Sequence, residues 1–253
     1  MHDFQARTPL KKWSIFLLGL SVLIGIGVFY NHSQEKWDKR IYLASFPRSG
    51  NHWVRFLIEE ATHVATSSVY RDPDPWHLKT KFPWGGYCID HGYAGDCRYP
   101  TQDDAVIIKT HFPYFGPAPF DLKPSLKTIR VVRHPVDSFF SWYYAKGGFH
   151  HLTRDELKEE ITAWRRFEEH WNAQANVLTV RYEDLFENPH AALKTIIEAI
   201  GYKVSEEDLH RAVKTHPPRG SILKHFSQYR QEDLELIKTE LGDLMQRYGY
   251  EIP

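Results

Sequence analysis

The chain has 253 residues, 42% of them apolar, and its 32 basic residues balance 32 acidic ones. This length supports one sizeable hydrophobic core and one or two domains. The balanced charge provides no bulk attraction to nucleic acid, so we predict no nucleic-acid partner, and any anion site must come from local placement of cations. The two cysteines, Cys88 and Cys97, allow a small disulfide loop in an oxidising compartment and two inert thiols elsewhere. A zinc site that uses them with His91 is a further interpretation, but it lacks a convincing fourth ligand.

The first forty residues predict a membrane anchor. Residues 13–30 form an uncharged run of eighteen residues, with an aromatic residue at each end. A helix of that length reaches roughly 27 Å, enough for the bilayer hydrocarbon. A cleaved signal peptide is the alternative, but the small-x-small cleavage candidate at 25–27 lies inside the run. We therefore predict a tail over 1–12, a transmembrane helix over 13–30 and a short stem over 31–40. Basic residues on both sides leave its orientation open.

From residue 41 onward, short β-rich runs alternate with helical periods. This pattern predicts a single three-layer α/β domain over 41–253 with a central, mainly parallel sheet. The predicted strands cover residues 41–46, 105–111, 128–133 and 176–182. The predicted helices cover residues 51–62, 136–146, 153–172, 189–200 and 232–248, with another capped by Ser205 and Asp208. The stretch 69–104 has no clear period, and its many aromatic residues favour a role in binding an acceptor.

The turn between the first strand and the first helix is a candidate anion site. It carries the sequence Pro-Arg-Ser-Gly-Asn-His-Trp at residues 47–53. Amide groups and the dipole at a helix N-terminus favour negative charge, and Gly50 lets the backbone approach phosphate oxygens closely. Ser49 and Asn51 add side-chain donors, and Arg48 can make a two-pronged contact. The Gly-Lys-Ser/Thr ending of a nucleoside triphosphatase loop is absent.

This turn resembles the 5′-phosphosulfate-binding loop of PAPS-dependent sulfotransferases, where PAPS is 3′-phosphoadenosine-5′-phosphosulfate. Arg48 stands in place of the family lysine and Asn51 in place of the family threonine. The resemblance implies a P-loop-like turn whose residues bind the nucleotide, with Trp53 either near the adenine or anchoring the loop. The implied nucleotide-binding residues are Arg48, Ser49, Gly50, Asn51, His52 and Trp53.

Further segments follow in the order of the same family. The string Lys-Thr-His-Phe-Pro at residues 109–113 is similar to the segment that supplies the catalytic base, which implies His111 as base and Lys109 beside the transferring group. A histidine can take a proton from a hydroxyl at neutral pH, since its ordinary pKa is near 6.5. The segment from Arg133 to Ser141 is similar to the 3′-phosphate motif, and Tyr182 is implied to contact the adenine.

The last resemblance is the poorest. Arg219 and Gly220 stand where the family carries Arg-Lys-Gly, and only one of the two cations is present. Together the segments imply a membrane-anchored sulfotransferase that moves a sulfuryl group from PAPS to a hydroxyl by in-line displacement. PAP would be the product, no metal would be required, and Arg48 and Lys109 would offset the developing charge.

The anchor favours a glycan, protein or lipid acceptor. A cytoplasmic N-terminus with the catalytic domain in the Golgi lumen would suit this layout. The alternatives are an inactive membrane-tethered protein that binds nucleotide or glycan, and a P-loop-type kinase, which lacks an obvious acidic magnesium site.

Overall fold

The computed structural model describes residues 39–70, 87–88, 104–115, 127–148 and 152–252. In these ranges no helix has the length and apolar character needed to cross a membrane. The predicted tail and anchor, and the predicted stem up to residue 38, lie outside the described residues, as does Cys97, so the anchor and the disulfide stay predictions. Arg40, the last residue of the predicted stem, is instead the first residue of the first strand.

Six strands form one sheet, in the order β3-β2-β4-β1-β5-β6. All neighbouring pairs are parallel except β2 with β3, which are antiparallel at one edge. The mainly parallel sheet is therefore confirmed. The strands are β1 (Arg40–Ser45), β2 (Ser67–Ser68), β3 (Tyr87–Cys88), β4 (Val106–Thr110), β5 (Thr128–Val132) and β6 (Val177–Arg181).

Helices follow the strands in sequence. They are α1 (Asn51–Thr62), α2 (Pro135–Ala145), α3 (Arg154–Asn172), α4 (Tyr182–Glu187), α5 (Pro189–Ile200), α6 (Glu206–Thr215) and α7 (Gln231–Arg247), with a 3₁₀ turn at Phe226–Gln228. The predicted capping boxes are present, since Thr153 accepts a hydrogen bond from the Glu156 N–H and Ser205 accepts one from the Asp208 N–H.

Two apolar clusters, one on each face of the sheet, make the three layers. Because successive strand residues point to opposite faces, Leu43 of β1 packs in one cluster and Tyr42 in the other. The Leu43 side contains buried residues of α1, α4, α5 and α6. The Tyr42 side contains buried residues of α2, α3 and α7, with Trp164 and Phe167 fully buried.

The main differences from the sequence prediction are short elements. The strands β2 and β3 have two residues each, too few to give a period in sequence. The predicted strand 176–182 ends at Arg181, and Tyr182 instead begins the six-residue helix α4.

Candidate active site

The predicted site residues meet at the carboxyl ends of four parallel strands. Residues that follow β1, β4, β5 and β6 line one cavity of about 910 Å³. Parallel α/β sheets place ligand crevices at this edge. Most of the predicted site residues line it, namely Arg48, Gly50, Asn51, His52, Trp53, Lys109, His111, Arg133, Ser141, Tyr182 and Arg219. Ser49 and Gly220 are not among the lining residues.

The turn after β1 depends on two residues with positive φ. Arg48 has φ 64° and Gly50 has φ 97°, both in the left-handed region. A side chain at Gly50 would also collide with Tyr182, whose Cδ2 lies 2.5 Å from the position of an added Cβ. Gly50 is the N-cap of α1 and supplies no side-chain hydrogen bond to its first turn. The N-terminal amide groups of α1 are therefore oriented for an anion.

The Asn51 side chain, predicted as a phosphate donor, is bonded to β1. It is buried, and Nδ2 donates to the Leu43 carbonyl at 3.0 Å and to Ser45 Oγ at 3.2 Å. These bonds tie the start of α1 to the end of β1. In this structure the side-chain donor therefore serves β1, and the role of Asn51 in binding phosphate stays a prediction.

Next to the turn, His111 has one ring nitrogen fixed by backbone. Nδ1 lies 2.7 Å from the Ser45 carbonyl and 3.4 Å from Ser45 Oγ. A carbonyl oxygen only accepts, so the shorter contact assigns the proton to Nδ1 and the lone pair to Nε2. Burial and the nearby Lys109 charge lower the pKa of His111 to about 3. The imidazole is therefore neutral at pH 7, with Nε2 able to accept a proton.

Lys109 lies beside His52 at the head of α1. Its Nζ is 3.0 Å from His52 Nε2, so the ammonium group donates to this imidazole. Lys109 is 9% exposed and precedes His111 by two residues on the same strand end. The Lys109 ammonium group is thus held between the turn after β1 and His111.

The predicted 3′-phosphate motif contacts the turn directly. Arg133 Nη1 donates to the Arg48 carbonyl at 2.9 Å, and Arg48 Nε donates to Ser141 Oγ at 3.1 Å. Among the described contacts, the Arg48 side chain therefore meets Ser141 of α2 and not Lys109 or His111. Arg133 Nε is buried and has no hydrogen-bond partner in the described ranges.

Tyr182 and Trp53 form the wall behind the turn. The Tyr182 ring packs on Gly50, lies under the Arg133 guanidinium at 4.4 Å and meets Trp53 edge-on at 5.7 Å. The Trp53 indole N–H donates to the His216 carbonyl at 2.8 Å. Of the two roles left open for Trp53, the contacts support anchoring, and they link α1 to the segment that carries Arg219.

The comparison with family models decides the classification. The model for the sulfotransferase domain matches residues 38–217, about seven tenths of the chain. The chain belongs to the sulfotransferase domain family.

Several curated relatives share this sulfotransferase domain. A WSCD family member from Aedes aegypti is 28% identical over 181 residues, which cover 65% of this chain and 51% of the relative. Cytosolic sulfotransferase 13 from Arabidopsis thaliana is 27% identical over 214 residues, covering 74% and 62%. Sulfotransferase 6B1 from Homo sapiens is 24% identical over 183 residues, covering 67% and 57%. The chain spans about half the length of the first relatives it matches.

Solved structures share the fold. A retinol dehydratase in complex with androsterone and the inactive cofactor PAP superposes with a TM-score of 0.51 at 16% identity, covering 85% of this chain and 83% of that chain. Mouse sulfotransferase SULT7A1 complexed with PAP gives a TM-score of 0.50 at 16% identity, covering 82% and 84%. Both structures support the α/β sulfotransferase fold for this domain.

The charge around the cavity of this sulfotransferase domain suits a nucleotide with two anionic ends. Four cations line it, and no carboxylate does so among the described lining residues. The cations are Arg48, Lys109, Arg133 and Arg219. With the buried, unpartnered Arg133 Nε and the N-terminus of α1, they fit PAPS.

Asp137 is a site residue that the sequence analysis missed. Its fully buried carboxylate accepts hydrogen bonds from Arg133 Nη2 at 3.3 Å, the Leu223 N–H at 2.7 Å, and both the N–H and Nδ1 of His225 at 3.2 and 2.8 Å. It joins the 3′-phosphate motif to the segment after α6. The only sequence signal is its i,i+4 position from Arg133, which does not show the long-range partners.

An aromatic wall beside His111 was also missed. The Tyr70 ring stacks on His111 at 5.6 Å, and its hydroxyl accepts the His111 N–H at 2.5 Å. Phe115 and Trp142 stack at 5.9 Å with 14° between their planes. Tyr70, Phe115 and Trp142 all line the cavity. Tyr70 lies at the start of the aromatic-rich stretch 69–104, so composition gave a partial signal for it, whereas Phe115 lies two residues beyond the Lys-Thr-His-Phe-Pro string.

Proposed function

We propose that the chain is a PAPS-dependent sulfotransferase that transfers a sulfuryl group to an acceptor hydroxyl, with His111 as general base. The observation that carries the proposal is a neutral histidine in a cavity that four cations line and whose described lining has no carboxylate. Such a site attracts a strongly anionic donor and still offers a base for a neutral hydroxyl.

The roles follow from position. The N-terminus of α1 with Arg48 and Ser49 would hold the 5′-phosphosulfate end, and Lys109 and His52 lie at the head of that helix. Arg133, Ser141, Arg219 and Gly220 would hold the 3′-phosphate, while Tyr182 and Trp53 support the adenine side of the wall. Arg48 would serve both phosphate ends, because its backbone belongs to the turn and its side chain reaches Ser141.

In the reaction, the acceptor oxygen forms a bond to sulfur while the bond between sulfur and the PAP phosphate breaks, and His111 Nε2 receives the hydroxyl proton. Burial, and after it the Lys109 charge, lower the pKa of His111 in the free protein. An anion bound beside Lys109 would offset that charge and raise the pKa of His111 toward the range of an efficient base. The same ammonium group would stabilise charge that develops on the leaving phosphate.

The acceptor would reach His111 along the aromatic wall of Tyr70, Phe115 and Trp142. Phe115 is 39% exposed, and its stacked pair with Trp142 offers a flat face for a sugar or another ring. We keep as proposals an anchor over 13–30, a luminal catalytic domain and a glycan, protein or lipid acceptor.

Titration of the full chain with PAP, and separately with ATP and magnesium, tests the donor site. We expect PAP to bind, ATP with magnesium to bind more weakly, and Arg133→Ala to weaken PAP binding. A folded chain that does not bind PAP would refute the proposal in favour of a binding protein without turnover. Preference for ATP with magnesium would favour the kinase.

The base is tested separately by His111→Ala. We expect this variant to keep PAP affinity and lose transfer from PAPS to a panel of glycan, peptide and phenol acceptors. His170→Ala, which changes a half-buried histidine on α3 that does not line the cavity, is the matched control. Equal loss of PAP binding and transfer in His111→Ala would contradict its role as base.

A further inference from the structure

Three side chains with metal-binding groups meet outside the cavity, where α5 and α6 begin. His190 is the second residue of α5, and Glu206 and His210 lie one turn apart on α6. One ligand atom from each lies within 4.8 Å of the others. In the described ranges this is the only group of three or more such residues, and none of its members lines the cavity.

The arrangement of the two imidazoles is unusual for a surface ion pair. The rings of His190 and His210 stack with centroids 4.3 Å apart and 28° between their planes. His190 Nε2 is 3.2 Å from Glu206 Oε2, yet this nitrogen is shielded from solvent and has no hydrogen-bond partner among the described residues. The carboxylate lies close to the nitrogen but is not aligned for a hydrogen bond. His190 Nε2 and the Glu206 carboxylate are therefore placed to bind one cation between them.

We infer that His190, Glu206 and His210 form a binding site for a divalent transition metal ion, with Zn²⁺ as the best match. Two neutral imidazoles and one carboxylate are a known zinc ligand set, with water in a fourth position. The i,i+4 spacing places Glu206 and His210 on one face of α6. Zinc bonds of about 2.0–2.1 Å separate tetrahedral ligands by about 3.4 Å, so the ligand atoms must close in by up to about 1.4 Å. Glu206 and His210 are exposed and His190 is partly exposed, so the side chains have room to rotate.

One cation already competes for the carboxylate. Lys194 donates to Glu206 Oε1, which leaves Oε2 directed at His190. An ion bound to Oε2 would tie the first turn of α5 to α6. Because α6 is followed by His216 and Pro217, which line the cavity, the ion would stabilise a helix that leads into the site wall. The inference does not depend on the proposed transfer reaction.

Calorimetric titration of the full chain with ZnCl₂, after EDTA treatment and buffer exchange, tests the site. We expect binding of one ion at this site and a rise in Tm with Zn²⁺. His210→Ala and Glu206→Gln should each weaken this binding by about tenfold or more and remove the rise in Tm. Glu207→Gln is the matched control, because it removes a neighbouring charge from the same turn of α6 without removing a ligand. Co²⁺ gives a second readout, since a tetrahedral site with nitrogen ligands has a visible absorption that the variants should lose.

The inference is overturned if the wild-type chain binds no Zn²⁺, or if His210→Ala and Glu206→Gln bind it as tightly as the wild type. The second result would place the ion elsewhere, for example at Cys88 and Cys97. Equal loss in Glu206→Gln and Glu207→Gln would also overturn it, because attraction to the acidic helix start would then explain the binding. Circular dichroism in EDTA shows whether each variant is folded, and Glu206→Gln changes an exposed side chain.

Discussion

Replacing Asp137 by asparagine should damage both stability and nucleotide binding. The buried carboxylate accepts four hydrogen bonds, one from Arg133, one from the Leu223 N–H and two from His225. Asparagine preserves the shape, but it removes the charge and turns one acceptor oxygen into a donor. At least one of the four donors then faces an NH₂ group in a buried position.

The magnitude of the effect depends on the charge and burial of these hydrogen bonds. A hydrogen bond to a charged group contributes about 1.5–3 kcal/mol, and breaking a buried ion pair by removing one partner costs roughly 3–5 kcal/mol. We therefore expect Asp137→Asn to lower the free energy of unfolding by about 3 kcal/mol. Arg133 and the segment that carries Arg219 would both be released from their anchor, so PAP affinity should fall by about tenfold or more, equivalent to about 1.4 kcal/mol.

Urea unfolding and calorimetric titration with PAP measure the two effects. Asp155→Asn is the matched control, because its carboxylate is 94% exposed and its pair with Lys158 spans 4.0 Å. The control should change stability by less than about 0.5 kcal/mol and leave PAP affinity unchanged. Unchanged PAP affinity in a folded Asp137→Asn protein would refute the coupling of this carboxylate to the nucleotide site. Unchanged stability would refute the charge-dependent network itself.

Three further changes test the turn and the histidine. Gly50→Ala should cost roughly 1–3 kcal/mol in urea unfolding and weaken PAP binding, because φ is 97° and the new Cβ would lie 2.5 Å from Tyr182; normal affinity would contradict the tight packing. Trp53→Phe should cost about 1 kcal/mol by removing the 2.8 Å bond to His216, and an unchanged Tm would argue against that link. Because burial and Lys109 hold the pKa of His111 at about 3, the unfolded chain takes up this proton first on acidification. Lowering the pH from 7.5 to 5.5 should therefore cost about 1.4 kcal/mol through His111, and urea unfolding of His111→Gln should show that much less loss; an equal loss would place the pKa near its ordinary value.

The sequence was sufficient to predict that the candidate site residues lie close together. Parallel strands end at the same edge, so segments that follow β1, β4, β5 and β6 must converge once the strands are identified. Local signals also located the helices well, because Thr153 and Ser205 cap them and Pro189 and Gly201 mark the ends of α5. These features depend on neighbours in the chain, which a single sequence contains.

The direction of individual side chains could not be predicted. Asn51 has the same local sequence whether it faces a phosphate or the Leu43 carbonyl, and only packing against β1 decides between them. The Asp137 carboxylate is bonded to Leu223 and His225, which lie 86 and 88 positions further along the chain. Both partners belong to the segment with the poorest sequence motif. Tyr70 reaches His111 from a stretch without a period. Each of these contacts requires the three-dimensional fold.

Arg48, in the place where the resemblance implies a lysine, would make the two proposed phosphate sites interdependent. A left-handed φ at a residue other than glycine costs about 1–2 kcal/mol, and the bond from Arg133 to the Arg48 carbonyl helps to offset it. The Arg48 side chain then reaches Ser141, a residue of the same 3′ motif. The planar guanidinium group of arginine can direct its Nε–H at Ser141 while its other N–H groups stay available to an anion. The compact ammonium group of a lysine has no such fork. The turn proposed to hold the 5′ end is therefore held in shape by the residues proposed to hold the 3′ end. We therefore expect a nucleotide carrying both phosphates to bind more tightly than one carrying either alone.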